Sequence, residues 1–316
     1  MHSLPHLPMA VSALDRDYLQ RDNPDLFDEL WANPATRVLP IFEGKVQLSG
    51  DSNHPVGKLL LLPVEAVPSA QHRVYLGKTF ATEGDEPTGT PIVLAVLSTN
   101  SANQLQPEVA QWRDLRRAGF GLSERDANLY AQALAMANFH ATHRHCTHCG
   151  QPTVIQQGGW SRRCFADDKT VFPRTDPAII AAVTDSQDRI LLGSQGVWEA
   201  NRWSILAGYV EAGESLTAAV AREIEEEAGV RVHEIEYLGS QAWPFPHSLM
   251  VGFRAMLDES GPLQTARPDG IEIAKVQWFT KDEIGQGYRS GALIMPGPLS
   301  IARAIIEHWY GGPLDG

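Results

Sequence analysis

Residues 208–230 read GYVEAGESLTAAVAREIEEEAGV, and this stretch restricts what the chain can fold into more than any other. Glu223, Glu226 and Glu227 stand at i, i+3 and i+4, so on a helix their carboxylates share one face. Like charges at that spacing repel by roughly 0.2–0.5 kcal/mol per pair. A divalent cation between them would relieve the repulsion, and Mg²⁺ favours carboxylate oxygens together with waters and substrate phosphates. The expected helix covers residues 216–228. Glu214 lies in the loop before it and can reach the same region. Gly208 and Gly213 suit a chain that turns tightly ahead of the helix, and Gly229 stands where a terminal glycine would end it. Arg222 can orient a carboxylate through a bidentate hydrogen bond.

Around this helix the patterning alternates between strands and helices. Strands are expected at 178–183, 189–192, 203–210, 234–238, 249–256 and 275–279, and a last helix at 299–309. Strands on both sides of one acidic helix predict a mixed sheet packed by helices, an α/β/α sandwich over residues 174–316. Upstream, strands are expected at 59–64 and 92–97, with a loop at 82–91 between them. A helix begins at Ser123, its cap, with Leu129, Ala133, Leu134 and Ala137 on one face. Residues 1–143 thus read as an α+β domain without a chemical motif. At 316 residues the chain is long enough for two domains with sizeable cores.

All three cysteines, Cys146, Cys149 and Cys164, fall in the short segment 144–173. An odd, clustered set reads as metal binding rather than disulfides. The spacing Cys146-x2-Cys149-x14-Cys164 suits one tetrahedral Zn²⁺ of structural character, a zinc-ribbon-like motif. For a fourth ligand His145 and His148 are near, though their adjacency to the cysteines strains the geometry, and a site that holds no zinc is the alternative.

The net charge of −12 argues against a general nucleic-acid binder, but leaves room for a nucleotide whose phosphates a metal neutralises. No apolar run is long enough to span a bilayer, the start of the chain is a poor signal peptide and its end carries no lipidation signal, so a cytoplasmic enzyme is expected. Residues 240–248, SQAWPFPHS, form a stiff aromatic loop. Trp243 and Phe245 offer flat faces that either stack on a base or fill the core, while Gln241 and Ser248 offer hydrogen bonds.

Gly208, Glu214, Arg222, Glu223, Ile224, Glu226, Glu227, Gly229 and Val230 match every fixed position of the pattern G-x5-E-x7-R-E-U-x-E-E-x-G-U, with U aliphatic. The segment therefore resembles the box of the Nudix hydrolases. That resemblance implies substitution at phosphorus on a nucleoside diphosphate linked to another group, with Glu223 and Glu227 holding Mg²⁺ or Mn²⁺, Glu226 close by, and Glu227 the essential carboxylate. SQAWPFPHS is similar to the loop of the NADH pyrophosphatase branch and departs from it only at Ala242, where that branch has proline. By this match Gln241, Ala242, Trp243, Pro244, Phe245, Pro246, His247 and Ser248 would line a dinucleotide pocket. The resemblance further implies Glu272 and the backbone oxygen of Ala207 as metal ligands, and Ala302, Phe172 and Arg116 as substrate contacts. Phe172 reads equally as a core residue, and Arg116 as a surface one. The family's fourth zinc cysteine is Asp167 here.

The implied activity is cleavage of NADH or NAD⁺ into a nicotinamide mononucleotide and AMP by a homodimer, with removal of NAD caps from RNA 5′ ends as a second reaction. Two alternatives remain at this level. One is another Nudix specificity such as ADP-ribose, against which the SQAWPFPHS loop argues. The other is a non-catalytic nucleotide sensor with a zinc ribbon, which would have no need of every carboxylate of the box.

Overall fold

The computed structural model describes residues 4, 7–12, 14–50, 57–82, 86–260 and 265–314. The chain divides into two compact units: Met1–Pro8, Asp176–Ala242 and Ser248–Gly316 make one in their described residues, and Met9–Thr175 with Trp243–His247 make the other.

The C-terminal unit is built on strands β1 (Asp176–Thr184), β2 (Ile190–Gln195), β3 (Leu206–Tyr209), β4 (Val232–Trp243), β5 (Ser248–Leu257) and β6 (Ile273–Phe279), with helices α1 (Leu216–Ala228), α2 (Lys281–Arg289) and α3 (Ile301–Tyr310). The sheet runs β4-β5-β1-β2-β6, with β3 also paired to β1. It is mixed: β1 and β5 are parallel, while β2 and β3 lie antiparallel to β1. The period of two along β1 explains the layers. Ile180 and Ala182 point into one core with Ile284 of α2 and Ile301, Ile305 and Ile306 of α3. Ile179, Ala181 and Val183 point into the other, with Ala219, Val220, Ile224 and Ala228 of α1. The α/β/α sandwich expected from the sequence is the fold observed.

Helix α1 spans exactly the expected residues. The Ser215 hydroxyl accepts from the Ala218 amide at 3.2 Å, and Gly229 closes the helix at φ 68°, a conformation costly for a side chain. The strand expected at 203–210 is shorter, because the amide of Trp203 is used by the carbonyl of Ile294 and pairing with β1 begins only at Leu206. Helix α2 went unanticipated, although Thr280 and Glu283 form a capping box at its start.

The N-terminal unit contains a five-stranded sheet of Leu14–Asp15, Ala70–Thr79, Pro91–Leu97, Arg37–Ile41 and Leu62–Pro63 in that order. Helix Glu124–Thr142 is capped by Ser123, whose hydroxyl accepts from the Asp126 amide. The expected strand 59–64 is split. Lys58–Leu59 pairs with Val46–Ser49, whereas Leu62–Pro63 pairs with Arg37–Ile41. The amide of Leu59 is diverted to the Asp126 carboxylate at 2.9 Å, and Pro63 has no amide to extend a ladder. Of the expected loop 82–91, residues 83–85 lie outside the described residues. A small three-stranded sheet, Val154–Gln156, Ser161–Cys164 and Lys169–Val171, carries the cysteine cluster.

Gln241, expected to line a pocket, is instead a tie inside the C-terminal unit. It is fully buried. Its amide nitrogen donates to the carbonyls of Pro8 at 2.7 Å and Leu299 at 2.9 Å, and its oxygen accepts from the Ile301 amide at 2.9 Å. Gln241→Leu strands these three backbone groups. The expected loss is about 3 kcal/mol of unfolding free energy, measured by urea denaturation.

Candidate active site

Two elements meet to make the carboxylate site. Helix α1 lies over the sheet beside β3, with its Ile224 and Ala228 in the core. That seating turns Glu223 and Glu227 inward and leaves Glu226 outside. The exposure is 13% for the Glu223 side chain, 4% for Glu227 and 58% for the Glu226 side chain. Gly208 of β3 is extended, not the turn expected of it. It is needed for space: a Cβ there would fall 2.0 Å from the carboxylate carbon of Glu223. Gly213 does turn the loop, at φ 96°.

Arg222 organises the outer acids. Its guanidinium grips Glu214 in a bidentate pair, Nε to Oε2 at 3.1 Å and Nη2 to Oε1 at 2.7 Å. It also reaches Glu226 at 2.9 Å, Glu223 at 2.9 Å and the Tyr209 carbonyl at 3.0 Å. Glu214 is held below the ordinary carboxylate range by Arg222, helped by the Glu211 amide.

Glu227 has no such help. One carboxylate oxygen, Oε2, is buried without a hydrogen-bond partner. Burial pushes its pKa up to about 8, reinforced by the charges of Glu223, Glu272 and Asp269, and a backbone hydrogen bond from Ala207 opposes the rise only in part. Burial likewise raises Glu223, against the pull of Arg222. Glu272, just ahead of β6, acts electrostatically on both Glu223 and Glu227. The structure therefore sets the Ala207 amide against Glu227, leaves Glu272 within electrostatic reach of Glu223 and Glu227, and commits Glu214 and Glu226 to Arg222. A buried, unpartnered carboxylate oxygen among like charges, in a cradle kept open by a glycine, fits a divalent cation. Tyr209, which sequence reasoning passed over, stands next to this cradle. It is 54% exposed, its hydroxyl is 3.0 Å from that of Ser248, and its only signal in the sequence is an aromatic beside Gly208.

In the N-terminal unit the loop Trp243–His247 is bolted to helix Glu124–Thr142. The Asn138 side-chain amide donates to the carbonyls of Pro244 at 3.0 Å and Pro246 at 2.9 Å. The Trp243 and Phe245 rings meet edge to face at 5.0 Å, and Arg116 stacks over Phe245 at 4.3 Å. Pro244, Phe245 and Pro246 form part of the wall of a cavity of about 650 Å³, opposite Ser98, Asp114 and Arg144. Asn138 had no sequence signal beyond a polar residue on a largely apolar helix. Ala302 is a core residue of α3, and Phe172 is 58% exposed.

The Sγ atoms of Cys146, Cys149 and Cys164 lie within 4.8 Å of one another. Among the described residues this is the one group of metal-ligating side chains so tightly gathered. Amides of Cys149 and His148 hold the Cys146 thiol below its ordinary range. The Asp167 carboxylate stands 3.7 Å from Cys146 Sγ, itself contacted by His148 at 3.0 Å and Lys169 at 3.3 Å. Three converging thiols with a carboxylate beside them fit zinc. Trp160 and Arg162 serve the fold: the indole donates to the Tyr75 carbonyl, and Arg162 is buried against Thr153 and His140.

Glu227 makes the protein's stability depend on pH. Its native pKa near 8 stands above the ordinary 4.5, so between these values the native state keeps a proton that the unfolded chain has released. In buffer free of Mg²⁺ and Mn²⁺ the melting temperature should therefore fall as pH rises from 5 to 8, and Glu227→Gln should flatten that fall.

Residues 174–296 match the NUDIX domain, 141–172 the NADH pyrophosphatase zinc ribbon domain, and 35–138 the NADH pyrophosphatase-like rudimentary NUDIX domain. The NAD-capped RNA hydrolase NudC of Mycobacterium tuberculosis is 44% identical over 204 residues, 62% of this chain and 64% of that protein. The human NAD-capped RNA hydrolase NUDT12 is 34% identical over 200 residues, 60% of this chain and 42% of that protein. The matches thus span less than two thirds of the length of these relatives. A NUDIX hydrolase structure from Nitrosomonas europaea superposes with a TM-score of 0.40 at 22% identity, over 55% of this chain and 96% of that one. With a complete box running from β3 to the end of α1 and the three matched domains in order, the chain belongs to the Nudix hydrolase superfamily, in its NADH pyrophosphatase branch.

Proposed function

We propose that the chain hydrolyses the diphosphate of NADH or NAD⁺ to a nicotinamide mononucleotide and AMP, and that it accepts the NAD cap of an RNA 5′ end. The observation that carries this reading is the buried, unpartnered Oε2 of Glu227 facing like charges in the cradle beneath Gly208. The names of the relatives, both NAD-capped RNA hydrolases, and the SQAWPFPHS loop support the choice of substrate. A functional assignment to ADP-ribose would leave that loop unexplained.

Glu223, Glu227, Glu272 and the backbone of Ala207 would hold Mg²⁺ or Mn²⁺, with Glu226 in reserve at the rim. A bound cation supplies positive charge against the phosphate oxygens and lowers the pKa of the attacking water. The chain's own part begins with Glu227, which must give up its proton for the site to load. Arg222 fixes Glu214 and the backbone at Tyr209, and so holds the loop and the helix in one register. The reaction adds water oxygen to one phosphorus and breaks that phosphorus's bond to the bridging oxygen, which leaves with the other phosphate. Trp243, Phe245 and Arg116 offer flat and cationic faces to a base, and Pro244, Pro246, Ala242, His247 and Ser248 complete that loop. Phe172, 58% exposed, would contact the nucleotide across the interface of a homodimer.

Zinc would be held by Cys146, Cys149, Cys164 and Asp167 in a structural role, and free thiols of this kind persist in a reducing cytoplasm. Elemental analysis of the purified protein should find one zinc per chain, and Asp167→Ala should weaken its retention against a chelator about tenfold.

The decisive test is product analysis with NADH, NAD⁺ and ADP-ribose in Mg²⁺ or Mn²⁺. AMP and the nicotinamide mononucleotide should appear from the dinucleotides. Glu227→Gln should stay folded and lose at least about 100-fold in kcat. Cleavage of ADP-ribose alone would discard the branch, and near-normal turnover by the variant would discard the carboxylate assignment.

A further inference from the structure

The segment ahead of β6 holds Glu272 by an arrangement that nothing in the Nudix box describes. The carboxylate of Asp269 collects the backbone amides that follow it. Oδ1 accepts from Ile271 at 3.1 Å and from Ile273 at 2.9 Å, and Oδ2 accepts from Glu272 at 3.2 Å. The Gly270 amide closes the same turn on the Ile273 carbonyl at 3.0 Å. At the near end of the segment, the amide of Arg267 donates to the Ala228 carbonyl at 2.8 Å, so the turn is tied to the last residue of α1. Both ends of the turn are thereby pinned, one to the helix that carries Glu223 and Glu227 and one to the edge strand β6.

Asp269 is exposed, so it fills no core. What its carboxylate does is accept from three amides of the turn, and so order them. Those amides belong to Ile271, Glu272 and Ile273, and the side chain presented from the middle of them is the glutamate that acts on Glu223 and Glu227. The turn leaves Ile271 90% exposed.

We propose that Asp269 is a positioning residue, which orders the backbone of Glu272 and so presents the Glu272 carboxylate to the cation held by Glu223 and Glu227. This rests on the reading of Glu272 as a metal ligand. Partners of this kind, one step behind a ligand, typically alter metal affinity by about 10–100-fold when removed. Asparagine at this position keeps the Oδ1 that serves Ile271 and Ile273 and loses the bond to Glu272, whereas alanine loses all three.

The test measures Mn²⁺ binding to the full-length protein by the loss of free-ion paramagnetic signal, alongside melting temperature and the kcat and KM for NADH. Asp269→Ala should raise the half-saturating Mn²⁺ concentration about tenfold, with the melting temperature held within a few degrees. Asp269→Asn should recover most of that affinity. Excess Mn²⁺ should restore kcat in Asp269→Ala with little change in KM. If Asn and Ala lose affinity equally, the turn held through Ile271 and Ile273 contributes nothing to the site and the positioning role is overturned. If Asp269→Ala binds Mn²⁺ normally while Glu272→Gln does not, the positioning role is overturned and the ligand assignment survives. If Glu272→Gln also binds Mn²⁺ normally, the ligand assignment fails and the proposal falls with it.

Discussion

The seating of α1 on the sheet governs the chemistry of the C-terminal unit. Ile224 and Ala228 are drawn into the core by ordinary apolar burial, and the helix geometry then carries Glu223 and Glu227 inward with them. A carboxylate taken out of water without partners is costly, and Glu227 carries that cost as a raised pKa and an unanswered oxygen. The unit tolerates it because a large apolar interface on both faces of the sheet holds the helix in place. Stability is thus set against a local strain of charge, which the retained proton on Glu227 relieves below its raised pKa.

The surrounding groups make sense in relation to that strain. Arg222 disposes of two acids that would otherwise add to it, leaving Glu223 shared and Glu227 unpaired. Gly208 leaves room for the Glu223 carboxylate, which any side chain there would push out of its present place. The N-terminal unit solves a different problem. Its Trp243–His247 loop is short, aromatic and proline-rich, and it is immobilised by Asn138 from below and Arg116 from above. The zinc-ribbon segment in turn is a fold too small to rely on its own core, with its cysteines and Asp167 gathered where a metal would staple it.

Legibility followed the physics of each element. Helix α1 could be read from the sequence, because the spacing of its glutamates and the terminal Gly229 are local signals. The segment 59–64 misled, because Asp126, far away in sequence, captures the Leu59 amide and breaks the strand. Gln241 and Ala302 show another limit. Residue type says nothing about whether a polar group faces a ligand or three backbone groups of its own fold, and here Gln241 faces the latter.

By itself the sequence determined the helix with its three acids, the glycine and arginine that attend them, the spacing of three thiols, and the mixed α/β class. These are local: they depend on the period of a helix, on caps and on the preference of a ligand set. Only the tertiary structure decided which acid is buried and which is exposed, that Gly208 is a gap rather than a turn, that Asn138 and Arg116 hold the Phe245 loop, and that Asp269 frames Glu272. Those outcomes turn on which distant backbone and side-chain groups meet. That is a property of the packed chain and not of any window along it.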